Sequence, residues 1–321
     1  MLFDLPADQL PLYESSLVEP DDFDDFWSAT LAEARAFAPV VRCEPVDAGL
    51  TTIDVYDVRF RGFAGEEIAA WLRVPRGSSG PLPGVVHLHG YGLGRGEAFG
   101  NLLWASAGYA HFEMDSRGQA YAGARGVTPD TGTTGPHVPG FATRGIGAKE
   151  TYYYRRLYID AVRAVDAVRA LDVVDPGQVA VFGASQGGAL TLAVAGLAEG
   201  LSCVVPRVPF LCDIPRAITI TDSSPYREIV DYLAHYRDSR DDVLRTLSYF
   251  DGVAFARRAT ADASFTVALM DPICPPSTVY GAFNAYAAEK RITVWPFNAH
   301  EGGGPDDDLV TLEALARAFP R

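Results

Sequence analysis

The chain of 321 residues lacks the features that mark several broad classes of protein. No run approaches the ~18 consecutive apolar residues that a membrane-spanning helix needs. The opening, Met1-Leu-Phe-Asp-Leu-Pro-Ala-Asp8, has neither a basic stretch nor an apolar one and does not read as a secretory signal. Positive charge is in deficit: 27 Lys and Arg stand against 41 Asp and Glu, a net charge of −14. Nucleic acid is thereby excluded as the default partner, because phosphate contacts need a basic surface. The acidity itself reads as solubility. Cysteine is scarce. Cys43, Cys203, Cys212 and Cys274 show no C-x-x-C spacing, so neither a zinc knuckle nor a redox pair is indicated. Four isolated cysteines in a chain with no signal are expected to be reduced and packed, which places the protein in the cytoplasm. There is no internal repeat and no linker separating two folding units.

What is present is a core and a pattern. Hydrophobic residues make up 48% of the chain, enough for one large domain over 1–321. Pro20–Ala36 reads as an amphipathic helix whose Phe23, Phe26, Trp27 and Leu31 share a packing face. Thr51–Phe60 and Glu67–Val74 read as a hairpin. Further strands are expected at Gly84–His89, Tyr109–Met114, Gln178–Phe182, Ser202–Val208, Phe265–Asp271 and Arg291–Pro296. Helices are expected at Ala98–Ser106, Thr151–Asp172, Ala189–Ala198, Pro275–Glu289 and Asp307–Phe319. This alternation implies an α/β fold, a mostly parallel sheet with helices on both faces. Two segments fall outside it. Ser116–Lys149 is rich in Gly, Thr and Pro without periodicity, and a segment of that length is usually functional or an interface element. Pro225–Ala256 reads as a helical insertion whose charged runs, such as Arg237 to Asp242, form a solvated face.

The chain is organised around Val179-Ala-Val-Phe-Gly-Ala-Ser-Gln-Gly-Gly-Ala189. Gly183-x-Ser185-x-Gly187 sits between a strand and a helix, the context of a nucleophile elbow. Small residues two before and two after let strand and helix pass closely while the serine is lifted off the sheet. The bland alternative is a Gly-rich turn without chemistry. A serine hydroxyl needs a histidine to take its proton and a carboxylate to orient that histidine. Asp271 and His300 follow Ser185 in the order used on such sheets, each after a late strand. Asp271 could instead cap a helix ahead of Pro272, and Asp213 and Asp251 are the other acid candidates. Of the remaining histidines, His235 falls within an expected helix. The oxyanion needs two main-chain donors. Gln186 follows the nucleophile, and Tyr91 lies in the early loop His89-Gly90-Tyr91-Gly92. Gly90-x-Gly92-x-Gly94-x-Gly96 lacks both the G-x-G-x-x-G spacing and a following Gly-Lys-Ser/Thr, which argues against a phosphate loop. His87-x-His89 could hold a metal, but with no acidic or cysteine neighbour in sequence it reads as a packed pair.

Three motifs carry a family resemblance: Arg117-Gly-Gln119, Gly183-Ala-Ser-Gln-Gly-Gly188 and His300-Glu301. Thr151-Tyr-Tyr-Tyr-Arg-Arg156, Val208-Pro-Phe-Leu-Cys-Asp213 and Met270-Asp-Pro-Ile-Cys-Pro-Pro-Ser277 extend it nearly end to end. On these residues the chain resembles carbohydrate esterase family seven, the acetyl xylan esterases and cephalosporin C deacetylases. The resemblance implies an α/β-hydrolase fold with an N-terminal extension and a triad of Ser185, Asp271 and His300. It implies an oxyanion hole of the Tyr91 and Gln186 amides. Arg117 and Gln119 would organise the surroundings, and Glu301 would neighbour the histidine. Phe210, Pro225 and Ile273, with Tyr91, would bind the substrate and wall an acetyl pocket. The implied substrates are small acetylated carbohydrates or an antibiotic ester, with no metal or organic cofactor. The implied assembly is an intracellular homohexamer whose insertions narrow an entrance. The Ser116–Lys149 segment matches the family least well and is somewhat shorter, leaving the entrance shape open.

The expected activity is therefore a serine esterase that removes acetyl groups through an acyl-enzyme. A broader short-chain carboxylesterase, or a peptidase or lipase on the same fold, is the enzymatic alternative. A catalytically inactive, hydrolase-like binding module is the non-enzymatic one.

Overall fold

Alternation along the central strands decides which helices cover which face. The structure, a computed structural model, describes residues 4–132 and 137–320. The strands are β1 (Val40–Val46), β2 (Ile53–Arg61), β3 (Glu67–Pro75), β4 (Leu82–Leu88), β5 (Ala110–Met114), β6 (Val174–Ala184), β7 (Cys203–Arg207), β8 (Asp262–Ala268) and β9 (Lys290–Trp295). The described helices are α1 (Phe23–Arg35), α2 (Leu103–Ser106), α3 (Tyr153–Arg169), α4 (Gln186–Leu197), α5 (Ile214–Ile220), α6 (Tyr226–His235), α7 (Arg240–Ser248), α8 (Gly252–Ala256), α9 (Pro276–Ala285) and α10 (Pro305–Ala318). Successive side chains of a strand point to opposite faces. Val85, Ala180, Phe182, Cys203 and Val205 meet Trp104 of α2 and Ala314 and Leu315 of α10. Their neighbours Val86, Leu88, Val179, Val181 and Val204 face the larger core built on α1, α3, α4, α8 and α9. Strands buried on both sides read as continuous apolar runs, as Val179–Phe182 does.

Among the described residues the strands form one sheet in the order β1-β2-β3-β5-β4-β6-β7-β8-β9. β1, β2, β3 and β5 pair antiparallel. β5, β4, β6, β7, β8 and β9 pair parallel. The mostly parallel sheet with helices on both faces is thus present, with an antiparallel extension at its N-terminal edge. Parallel strands send their C-terminal ends to one side, and loops there are where an open α/β sheet builds its sites. Among the described residues no helix is long and apolar enough to cross a membrane.

Several expectations change. The helix expected over Ala98–Ser106 shrinks to α2, because Asn101 takes a left-handed conformation at φ 47° and ends the turn before it. The Pro225–Ala256 insertion is helical as expected, divided into α6, α7 and α8 with a break at Tyr236, where ψ is 63°. The strand expected to end at Asp271 stops at Ala268, so that acid lies on a loop. β1 and α5 have no counterpart in the sequence reading. β1 is an exposed edge strand containing Pro45, without apolar alternation, and α5 is short and begins beside Pro215. The Ser116–Lys149 segment has no helix or strand among its described residues, and its residues 133–136 lie outside them. Residues 1–3 of the stretch read as lacking a signal lie outside them too. The aromatic face of α1 packs as the stripe implies, with Phe23, Phe26 and Trp27 against Tyr249, Phe250 and Phe255.

Candidate active site

Ser185 stands between β6 and α4 at φ 58°, ψ −117°, a region that costs a non-glycine residue about 1–3 kcal/mol. The turn is held from several sides. Ser185 N–H donates to the Arg207 carbonyl at 3.0 Å, and its own carbonyl accepts from Phe210 N–H at 2.9 Å and Ala189 N–H at 3.0 Å. The flanking glycines are required by close approach. A Cβ on Gly187 would stand 2.1 Å from the Leu88 carbonyl oxygen, and one on Gly183 2.5 Å from the same atom. The elbow is therefore wedged against the end of β4, and any side chain at either position would drive α4 off the sheet.

Two late loops bring the partners. His300 Nε2 lies 3.0 Å from Ser185 Oγ, and His300 Nδ1 lies 2.8 Å from Asp271 Oδ2. Asp271 is fully buried. Its other oxygen accepts from the Ile273 and Cys274 amides at 2.8 and 2.9 Å, which fixes the carboxylate's plane. With Nδ1–H donating to that carboxylate, Nε2 presents its lone pair to the serine hydroxyl. Glu301 is exposed. It accepts from the Ala299 amide at 3.1 Å and from Asn298 Nδ2 at 3.2 Å, bracing the turn that carries His300. Hydrogen bonds from its own amide and from Ala299 hold its carboxyl below the usual range. Asp213 and Asp251 lie apart from this line. Asp251 accepts from the Asp213, Ile214 and Val253 amides, and burial pushes its carboxyl up to about 7.

The loop after β4 lies next to the serine turn, because β4 pairs directly with β6. Gln186 is the first residue of α4, so its amide has no intrahelical acceptor. Its buried side chain accepts from Tyr154 Oη at 3.0 Å and Gln119 Nε2 at 2.9 Å, and donates to the His89 carbonyl at 3.3 Å. Gln119 Oε1 takes the Gly92 amide at 2.6 Å, and its Nε2 also reaches Tyr153 Oη at 2.9 Å. Gln119 thus joins the Gly90–Gly92 loop to the residue after the serine. Two residues earlier, buried Arg117 grips Asp160 of α3 in bidentate fashion and reaches Glu66. Burial works against its charge, but Asp160 and Glu66 outweigh that, and the guanidinium is held above its usual range. Tyr153 Oη donates to the Arg117 carbonyl at 2.6 Å, closing the frame.

Residues 1–312 match the sequence profile of the acetyl xylan esterase family. The chain belongs to the acetyl xylan esterase family. An acetyl esterase of Xylanibacter ruminicola is 30% identical over 283 residues, covering 88% of this chain, and the chain spans 63% of that relative's length. Two solved structures are similar throughout. The acetyl xylan esterase from Paenibacillus sp. R4 is 36% identical at a TM-score of 0.91, covering 98% of this chain and 100% of its own. Acetyl xylan esterase 1 from Thermoanaerobacterium sp. JW/SL YS485 is 31% identical at 0.89, covering 98% and 99%. The α/β-hydrolase fold is thereby shown for this acetyl xylan esterase family chain.

Of three other residues expected at the site, Phe210 and Ile273 are bonded through their amides to residues of the Ser185–His300–Asp271 line, and Pro225 is not. Phe210 is buried edge-on against Tyr226 at 4.5 Å between ring centres and is tied by its amide to Ser185. Pro225 is buried just ahead of α6. Ile273 is half-buried and bonded to Asp271 through its amide. The histidine pair has an acidic neighbour that the sequence did not bring near. His87, His89 and Glu113 each offer a ligand atom within 4.8 Å of the others. Glu113 already carries the Arg73 guanidinium at 2.6 Å and the Asn101 amide. A dication there would share its carboxylate with a buried guanidinium, and like-charge repulsion opposes that. Asp271, Cys274 and His300 form a similar trio, and two of them, Asp271 and His300, belong to the line bonded to the serine.

Sequence reasoning gave no place in this web to three residues. Tyr153 and Tyr154 were noted only as part of a family stretch, yet both reach into the glutamine bridge. Glu228 was passed over among the charges of a solvated face. It is instead half-buried, and Tyr91 Oη donates to it at 2.8 Å.

Proposed function

We propose that this chain is a serine esterase that removes acetyl groups from small acetylated carbohydrates through an acyl-enzyme. The observation that supports it most is the bonded line Ser185–His300–Asp271 in a chain of the acetyl xylan esterase family. Ser185 Oγ attacks the ester carbonyl carbon while His300 Nε2 takes its proton. The carbonyl oxygen becomes an oxyanion facing the Tyr91 and Gln186 amides. His300 then gives the proton to the departing sugar oxygen, leaving acetyl-serine. Water repeats the cycle and releases acetate. Asp271 holds the imidazole tautomer and stabilises its charged form. Phe210, Pro225 and Ile273 wall the acetyl group, and Arg117, Gln119 and Glu301 position the loops.

The same reading carries four finer statements. The chain forms one domain over 1–321; the antibiotic ester cephalosporin C is a second substrate; the assembly is a homohexamer; and the compartment is cytoplasmic. The first is supported by the single sheet, the next two by the family resemblance, the last by four free thiols, three of them buried. A panel of acetylated xylo-oligosaccharides, acetylxylan, cephalosporin C and longer acyl esters tests the substrate class. Short acetyl esters should be turned over fastest. Octanoyl esters turned over as fast as acetyl ones would overturn it, and failure of Ser185 to react with a fluorophosphonate would overturn the mechanism.

A further inference from the structure

The reading above rests on a main-chain donor, the Tyr91 amide, set in a run with glycine at 90, 92, 94 and 96. Glycine imposes little on the backbone. A donor in such a run stays aimed only if something outside the run holds it. One hold is Gln119, which takes the Gly92 amide at 2.6 Å. The other is the Tyr91 side chain itself.

That ring is boxed by Tyr121 and Phe141, with ring centres at 6.2 and 5.8 Å. Its hydroxyl meets the Glu228 carboxylate at 2.8 and 3.0 Å and accepts from the Phe141 and Gly140 amides at 2.8 and 3.2 Å. The same carboxylate accepts from the Gly140 and Ala142 amides at 3.2 and 3.0 Å. One side chain of α6 thus collects donors from the loop after β4 and from the Ser116–Lys149 segment. Burial raises its carboxyl above the usual range, and the Tyr91 and backbone bonds oppose that rise. Two segments far apart in sequence converge on it, and neither they nor α6 bears a triad residue.

We infer that Glu228 is a positioning residue for the oxyanion hole, holding the Tyr91 amide in place through the rigid tyrosine ring and locking residues 140–142 against the same ring. This rests on Tyr91 being an oxyanion donor. A rigid aromatic lever transmits the anchor at the hydroxyl to the backbone, whereas a flexible side chain would not. It also gives the position a reason to be tyrosine that a main-chain donor alone does not supply.

The test uses Glu228→Ala, Tyr91→Phe and the double variant of the full chain. The readouts are kcat and KM for 4-nitrophenyl acetate, and the inhibition constant of trifluoroacetone. Ser185 Oγ adds to its carbonyl, His300 takes the proton, and the resulting alkoxide occupies the hole. Glu228→Ala should lower kcat about 10–100-fold, less than the ~10²–10³ for losing a donor outright. KM should stay within about threefold, and trifluoroacetone should weaken by the same factor as kcat. Tyr91→Phe keeps the ring, removes the hydroxyl and should act in the same direction. The double variant should cost no more than the larger single one. A kcat within twofold of the parent, a loss confined to KM, a kcat loss with trifluoroacetone binding unchanged, or additive losses would each overturn the inference. Should Glu228→Ala fail to fold, Tyr91→Phe carries the same test alone. Ser185→Ala separates the two levels. If it retains turnover, the reading of the site fails; if it is inactive while the Glu228 variants run at full rate, only this inference fails.

Discussion

The two sides of the site are built by different means. On the serine side, each chemical group is a side chain placed just beyond a parallel strand: Ser185 after β6, Asp271 after β8 and His300 after β9. On the proposed oxyanion side, the working groups would be main-chain amides, placed by a web of side chains from the loop after β4, α3, α4, α6 and the Ser116–Lys149 segment. A side chain on a strand end is aimed by the sheet. An amide in a glycine-rich loop is aimed only by what grips it. Damage should therefore be all-or-none on the first side and graded on the second.

Ser185→Ala tests the all-or-none side and should lower kcat by about 10⁶-fold for 4-nitrophenyl acetate. A residual rate within tenfold of the parent would break the contrast. Arg117→Ala lies deepest on the graded side. Stranding the buried Asp160 should cost about 3–5 kcal/mol in urea unfolding. An unchanged midpoint would remove Arg117 from the frame. Gln119→Leu leaves the Gly92 amide without its acceptor. It should lower kcat about 10–100-fold with KM nearly constant, since misplacing a donor costs less than the ~10²–10³ of deleting one. A loss in KM alone would mean that Gln119 serves binding. Glu301→Ala removes exposed bonds only, and turnover should stay within about twofold. A larger loss would show that the His300 turn depends on this brace.

Legibility followed the same division. The elbow could be read because its causes are local: a strand, a serine between small residues and a helix, all within eleven positions. Asp271 and His300 could be read because chain order and loop position suffice to name them. Glu228 could not. It sits in an insertion whose exposed charges, such as Arg237 and Asp241, look the same in sequence. Its burial depends on where α6 lands. The helix expected over Ala98–Ser106 failed on the left-handed backbone of Asn101, which the apolar periodicity does not register. β1 was missed because an exposed edge strand needs no alternation, its partner β2 supplying the hydrogen bonds.

Sequence alone determined the sheet's helical cover and the strand–serine–helix turn, and it named the two residues that the fold bonds in line with Ser185, because those follow from periodicity, chain order and steric needs within a few residues. Tertiary structure decided how the loop after β4 is held beside Gln186, because that hold consists of bonds between Tyr91, Gln119, Gln186 and Glu228. No short-range rule brings those four residues together. Only the packing of α3, α6 and the long Gly-rich segment over the strand ends does so.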